Sequence, residues 1–175
     1  GEHKNGALAF VGHLDTVPVG DLTKWEAPPL AATIKAGKLV ARGAADMKGG
    51  VAAMLLALDY LLKTQKVRQK SLYFCFTADE ENKGVGALAI KQSGLIDDAV
   101  QMIICEPSGG GIGLCEKGAL WVRVSAEGAT CHASRPELGR NAIDALLAFI
   151  GKAQRVLDYS QTHPLLGHNT LSLTQ

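Results

Sequence analysis

Residues 7–12 read ALAFVG, a short unbroken apolar run that polar and turn-forming residues follow. Such a run is typical of a strand that is buried on both faces in a parallel sheet. Two similar runs, SLYFCFT at 71–77 and QMIICE at 101–106, alternate with helical patterns at 48–63 and 85–92. The order strand, helix, strand, helix, strand predicts an α/β fold with a mostly parallel sheet and flanking helices.

The segment between the first strand and the long helix predicts a hairpin. Residues 30–42 read LAATIKAGKLVAR, which fits two short strands around a turn at residues 36–38. Gly37 would supply the turn.

A second, smaller domain is predicted after the turn-rich stretch PSGGG at residues 107–111. Residues 121–126 alternate apolar with polar side chains, as a half-exposed strand does, and residues 141–157 have helical spacing. With a further strand at 170–174, these elements predict a small α+β unit. The domains would therefore span residues 1–111 and 112–175.

The composition excludes several classes of partner. Eighteen Lys and Arg residues against 17 Asp and Glu residues give a net charge of +1, which does not favour nucleic acid or an anionic membrane. The longest apolar stretch, residues 51–58, is far shorter than the ~20 residues that cross a bilayer. Four cysteines without C-x-x-C pairing indicate a reduced, cytoplasmic protein, with two disulfides as the alternative. We expect a small-molecule or protein partner.

Acidic and imidazole side chains cluster where the predicted parallel strands end. Asp46 precedes the long helix. The others follow the three strands: His13, Asp15, Glu80, Glu81 and Glu106. Residues that follow several parallel strands meet in the crevice at the carboxyl edge of the sheet. One imidazole and several carboxylates suit Zn²⁺ or another divalent ion, and a carboxylate can bridge two such ions. The alternative is that these are solvated loop residues.

Five motifs carry a family resemblance. Four of them resemble, in order, the signatures of the M20 metallopeptidase and deacylase family: GHLDTVP (12–18), RGAADMKGG (42–50), TADEE (77–81) and EPS (106–108). A fifth, GATCHASRPELGRNAI at 128–143, is similar to the lid-domain segment of acetylornithine deacetylases and succinyl-diaminopimelate desuccinylases. The resemblance covers nearly the whole chain.

The resemblance implies a division of labour between the two predicted domains. Residues 1–111 would be the N-terminal part of a zinc-exopeptidase-like catalytic domain. Residues 112–175 would be part of a lid domain through which the protein forms a homodimer. The resemblance also implies that the peptide bond between Asp46 and Met47 is cis.

The resemblance further implies a site for two zinc ions, with Co²⁺ or Mn²⁺ as alternatives. His13 and Glu106 would bind one ion and Glu81 the second. Asp46 would bridge the two. Asp15 would accept the other ring N–H of His13 and fix the orientation of the ring.

Catalytic and substrate-binding roles follow from the same resemblance. Glu80 would be the general base that takes a proton from the attacking water, although the residues alone leave the choice between Glu80 and Glu81 open. His132 would reach into the partner's active site and stabilise the oxyanion. Arg135, Arg140 and Asn141 are candidates for binding a substrate carboxylate, with a solvated lid surface as the alternative reading of the arginines.

The expected activity is zinc-dependent hydrolysis of the amide bond of an N-acyl amino acid. The alternatives are an M20 carboxypeptidase or dipeptidase acting on short peptides, and a non-catalytic chain that serves dimerisation. In the family a late histidine completes the second zinc site. Neither His163 nor His168 lies in a fitting motif, which puts the activity of these 175 residues alone in question.

Overall fold

The computed structural model describes residues 6–64 and 70–174. The chain divides into two compact units, Gly1–Gly111 and Ile112–Gln175, which we call the first and second unit. The division falls at the end of the PSGGG stretch. The catalytic and lid roles of the two units stay predictions.

A three-stranded parallel sheet forms the centre of the first unit. Its strands are β1 (Ala7–His13), β4 (Ser71–Thr77) and β5 (Ala99–Ile104), in the order β4-β1-β5. β1 pairs with β4 without a bulge, from Ala7 opposite Ser71 to His13 opposite Thr77. Because β1 has a neighbour on each side, its amide groups are satisfied within the sheet, as the apolar run predicts. The predicted parallel α/β sheet is therefore confirmed.

The helices and the hairpin of the first unit also form. Helix α1 spans Gly49–Thr64 and α2 spans Val85–Ser93. The hairpin consists of β2 (Thr33–Lys35) and β3 (Lys38–Val40), with Ala36 and Gly37 both at positive φ in the turn. Two consecutive positive φ angles match the right-handed twist of the strands they join, and Gly adopts such angles without strain.

The first unit's core lies between β1 and the start of α1. Ala7 and Ala9 of β1 are buried, as are Val51 and Met54 of α1 and Met47 just before that helix. Burying the Val51, Met54 and Met47 side chains contributes about 1.5–3 kcal/mol each. This packing fixes the start of α1 over the end of β1, where the candidate site lies.

The second unit contains one long helix and a short hairpin. Helix α3 spans Ala142–Val156, and the Asn141 side chain caps it by accepting the Ile143 N–H. Strands β6 (Thr162–His163) and β7 (Gly167–His168) pair antiparallel over two residues each. The helix predicted over 141–157 is confirmed.

Two strands predicted for the second unit are wrong, and with them the predicted α+β lid sheet. Residues 121–126 and 170–174 adopt no strand in the structure. Side-chain alternation describes which face a strand would bury, but a strand forms only where another strand satisfies its backbone N–H and C=O groups. Within residues 112–174 neither segment has such a neighbour.

No helix within the described ranges combines the length and the apolar character that crossing a membrane requires.

Candidate metal centre

The candidate ligands lie at the carboxyl edge of the sheet. His13 is the last residue of β1, and the TADEE motif begins with the last residue of β4. Glu106 lies two residues beyond the end of β5. Asp46 lies in an irregular turn, Ala44–Lys48, that leads into α1, and its peptide bond to Met47 is cis, as the resemblance implies. Parallel strand direction therefore brings together residues that are far apart in sequence.

His13 is the buried centre of this cluster, with only 2% of its surface exposed. Its Nδ1 lies 3.1 Å from the backbone carbonyl oxygen of Asp15. A carbonyl can only accept, so Nδ1 carries the proton in the neutral ring and Nε2 has a free lone pair. The ring is thus oriented with its metal-binding nitrogen towards the carboxylates.

Three carboxylates surround the Nε2 atom of His13. Asp46 Oδ1 lies 3.1 Å away, Glu106 Oε1 3.4 Å and Glu80 Oε2 3.8 Å. These carboxylate side chains are each 41–55% exposed, in contrast to the imidazole. The cluster therefore opens to solvent on its carboxylate side.

The pKa shifts at this edge reflect the crowding of negative charge. Burial alone would lower the pKa of His13, but the hydrogen bonds to Asp46 and the Asp15 carbonyl, helped by nearby carboxylates, raise it above its ordinary value. Burial and the neighbouring Asp46 carboxylate raise the pKa of Glu106. Like charges at this separation disfavour joint ionisation, and a cation among them would relieve that cost.

The resemblance implies that the Asp15 carboxylate accepts the His13 ring N–H, but in the structure the backbone carbonyl of Asp15 makes that contact. Its carboxylate Oδ1 lies 3.6 Å from Nδ1 of His13, further than the Asp15 carbonyl, which holds the ring. Its other oxygen, Oδ2, accepts the backbone N–H of Glu81 at 3.1 Å. Burial would raise the pKa of Asp15, but the backbone N–H groups of Glu81 and Glu80 hold it below its ordinary value. Asp15 therefore connects the end of β1 to the turn after β4.

The donor atoms fit a divalent metal ion. One ligand atom from each of His13, Glu80 and Glu106 lies within 4.8 Å of the others, and so do atoms of His13, Asp46 and Glu81. An imidazole nitrogen with carboxylate oxygens is a donor set that Zn²⁺ accepts. The first group contains Glu80, which the resemblance implies is the general base and not a ligand. The second group contains Glu81, which the resemblance implies is a ligand.

A cleft of about 210 Å³ borders this cluster. Its lining includes the carboxylate residues Asp46 and Glu81, together with Val17, Ala41 and Arg42. The guanidinium of Arg42 lies 4.9 Å over the Trp25 ring. Solvent and a small ligand can thus reach the carboxylates from outside.

The remaining predicted site residues belong to the second unit. His132 is exposed, and its Nδ1 lies 2.8 Å from the Ser134 hydroxyl. Arg140 and Asn141 line a cavity of about 520 Å³, whereas Arg135 is exposed beside Glu137, with 3.6 Å between Nε and Oε1. The roles of these residues stay predictions.

Two contacts at the cluster were not predicted from the sequence. The His13 N–H donates to Met47 Sδ at 3.1 Å, and Lys48 Nζ donates to the Leu14 carbonyl at 2.7 Å. Met47 and Lys48 belong to the RGAADMKGG motif. The motif predicts that this segment lies at the site, but it does not predict these two contacts.

Comparison with known proteins supports the family resemblance. Residues 9–164 match the profile of peptidase family M20/M25/M40. A probable succinyl-diaminopimelate desuccinylase of Staphylococcus aureus is 42% identical over 142 residues, which cover 81% of this chain and 36% of that protein. A succinyl-diaminopimelate desuccinylase of Buchnera aphidicola is 36% identical over 155 residues, covering 84% of this chain and 41% of that protein.

The fold is also similar to a solved structure. An M20 family metallo-carboxypeptidase from Sulfolobus solfataricus superimposes with a TM-score of 0.61 and 25% identity, covering 85% of this chain and 36% of that one. The chain thus spans well under half the length of the relatives that it matches. With most of its length matched by the family profile, this chain belongs to peptidase family M20/M25/M40.

Proposed function

We propose that the protein hydrolyses the amide bond of an N-acyl amino acid in a metal-dependent reaction. The observation that carries this proposal is the convergence of the His13 imidazole with four carboxylates at one solvent-open edge of the sheet. Membership of a peptidase family agrees with this chemistry. The relatives from Staphylococcus aureus and Buchnera aphidicola both carry the name desuccinylase, which favours a deacylase over a peptidase.

The ligands that we assign to two zinc ions follow the family pattern. His13 and Glu106 would hold one ion, Glu81 would hold the second, and Asp46 would bridge them. When bound, such ions polarise the scissile carbonyl and lower the pKa of water to about 7. In the neutral ring, the Nδ1–H contact to the Asp15 carbonyl leaves Nε2 of His13 as the nitrogen that would bind the ion.

Glu80 is the proposed general base. Its carboxylate is half exposed and lies at the mouth of the cluster, 3.8 Å from His13 Nε2. A carboxylate there can take a proton from the attacking water and return it to the leaving amine. Glu81 is less exposed than Glu80, which favours Glu81 as the ligand.

The second unit would complete the site through a homodimer. We propose that His132 donates to the oxyanion in the partner's site, where a positioned donor contributes about 3–4 kcal/mol to lowering the barrier. Arg140 and Asn141 would bind the substrate carboxylate, since both line the cavity of the second unit. We also propose a cytoplasmic setting, in which the four cysteines would stay reduced.

A carboxypeptidase or dipeptidase function is the second candidate. The structural similarity to the Sulfolobus solfataricus metallo-carboxypeptidase favours it. Both reactions break an amide bond and need the same metal cluster, so the substrate distinguishes them.

The decisive experiment assays the zinc-loaded full-length enzyme with N-succinyl-diaminopimelate, N-acetylornithine and a set of dipeptides. We expect hydrolysis of an acylated amino acid that stops when the metal is removed with a chelator and returns when zinc is added. Glu80→Gln should lower kcat by about 10²–10⁴-fold and keep the zinc, since general bases contribute that much. Glu81→Gln should lose zinc. Hydrolysis of dipeptides alone would select the peptidase, and no hydrolysis of any substrate would refute both candidates.

A further inference from the structure

Three consecutive residues before α1 contact the end of β1. Asp46 Oδ1 lies 3.1 Å from the His13 ring, Met47 Sδ accepts the His13 N–H, and Lys48 Nζ donates to the carbonyl of the next residue, Leu14. We call Asp46–Lys48 the clamp segment. The side chain and the backbone of His13 are therefore held from one short stretch of chain.

Lys48 makes the shortest of the three polar contacts between the clamp segment and the end of β1. An ammonium donating to a carbonyl oxygen at 2.7 Å is a charge-assisted hydrogen bond, whereas the Met47 thioether is a weak acceptor. Among the described residues Lys48 forms no ion pair with a carboxylate. Its ammonium is directed instead at the backbone of the segment that carries His13.

The Lys48 side chain is exposed, but the main chain at Lys48 is held within the turn before α1. Its backbone N–H donates to the Gly43 carbonyl at 2.9 Å, and its side-chain nitrogen lies close over Gly43. Met47, its neighbour, is fully buried. The main chain at Lys48 is therefore fixed, and the hydrogen bond to the Leu14 carbonyl orders the exposed side chain.

We propose that Lys48 is a positioning residue, which sets the His13 imidazole relative to the Asp46 carboxylate and so fixes the distance between two ligands of the metal site. This inference rests on the proposed metal-dependent function. Lys48 acts through the Leu14 carbonyl and touches neither metal nor substrate. Without it, the apolar packing of Met47 still holds the turn against the strand, but the polar contacts that remain are the weaker thioether contact and the contact between Asp46 and the His13 ring.

The test measures zinc affinity by chelator competition in the purified protein. Lys48→Met keeps the aliphatic stem and removes the donor, and we expect it to weaken zinc binding by about 10- to 100-fold, the usual effect of losing a group that orients a ligand. Lys48→Arg should recover most of the affinity, because a guanidinium can donate to the same carbonyl. Lys63→Met is the matched control, since Lys63 pairs with Asp59 on the exposed face of α1 and should bind zinc like the wild type.

A second measurement separates positioning from stability. The thermal midpoint of the metal-free Lys48→Met protein should stay close to that of Lys63→Met, and Lys48→Gln carries the same comparison if the Met variant fails to fold. Zinc affinity of Lys48→Met equal to the control, or a loss of affinity matched by an equal loss of metal-free stability, overturns the inference and leaves the proposed function standing. A wild-type protein that binds no zinc overturns both.

Discussion

The Asp15 carboxylate accepts a hydrogen bond from the backbone N–H of Glu81, with 3.1 Å between Oδ2 and the nitrogen. This bond joins the end of β1 to the turn after β4. Glu81 is a proposed metal ligand, and His13 lies two residues before Asp15, so this bond links the segments that carry both residues. The Asp15 backbone carbonyl, which holds the His13 ring, adds a second constraint from the same residue.

Asp15→Asn should therefore weaken zinc binding while leaving the proposed ligands in place. We expect a loss of about 10- to 100-fold in affinity, because an amide accepts the Glu81 N–H less strongly than a carboxylate does. Competition with a chromogenic chelator measures it. Asp21→Asn is the control, since Asp21 caps a short exposed turn by accepting the Thr23 N–H and should leave zinc affinity unchanged. Equal affinities in the two variants would contradict the prediction.

The elements of the first unit could be predicted because their signals are local. An unbroken apolar run marks β1, and three- and four-residue spacing marks α1. The convergence of His13, Glu80 and Glu106 followed from one rule about parallel strands. The contact between His13 and Met47 could not be predicted, because it depends on how the turn before α1 packs over β1.

The second unit shows why local patterns fail for strands. Residues 141–157 satisfy their own backbone hydrogen bonds as a helix, so spacing alone predicted α3. Residues 121–126 need a neighbouring strand, which their own sequence does not specify. The bridge between Ala129 and Arg140 pairs other residues instead.

Gly50→Ala should destabilise the protein because α1 approaches β5 closely at this point. A Cβ atom on Gly50 would overlap the carbonyl oxygen of Cys105, which is backbone and cannot rotate away. Overpacking of this kind costs about 1–3 kcal/mol or more of the free energy of unfolding. Urea denaturation of the metal-free protein measures it. Because Cys105 precedes Glu106, zinc affinity should fall as well.

Gly151→Ala provides the control for that substitution. Gly151 lies in α3, and the nearest atom to a new Cβ would be the Arg155 Nη2 at 3.7 Å, an ordinary contact. An alanine there should increase the stability of the helix by about 0.5–1 kcal/mol. If Gly50→Ala were as stable as Gly151→Ala, the close approach of α1 to β5 would be refuted.

Cys75 should react slowly with iodoacetamide at neutral pH. Burial raises the pKa of its thiol above the ordinary value, so less of the reactive thiolate is present. Cys115 and Cys131 are exposed. We expect both to be alkylated at least about tenfold faster than Cys75, as followed by peptide mass spectrometry. In urea the three rates should converge, and equal rates in the folded protein would show that β4 does not shield Cys75.

His132→Ala should separate metal binding from turnover. The residue lies in the second unit, outside the cluster around His13, so zinc content should not change. If His132 donates to the oxyanion of the partner's site, kcat of the enzyme should fall by about 10²–10³-fold. Ser134→Ala removes the hydroxyl beside His132 and is a milder companion variant. Normal turnover in His132→Ala, or loss of zinc, would end the proposed oxyanion role.

The unbroken register between β1 and β4 makes the site sensitive to any residue inserted within β1. Ala7 to His13 face Ser71 to Thr77 one for one, so a single inserted residue ahead of His13 would turn the imidazole to the opposite face of the sheet. The hairpin turn at Gly37 has open space around it and would accept the same insertion. We therefore expect insertions and deletions in the loops between the strands and helices, whereas the number of residues in β1 should stay constant.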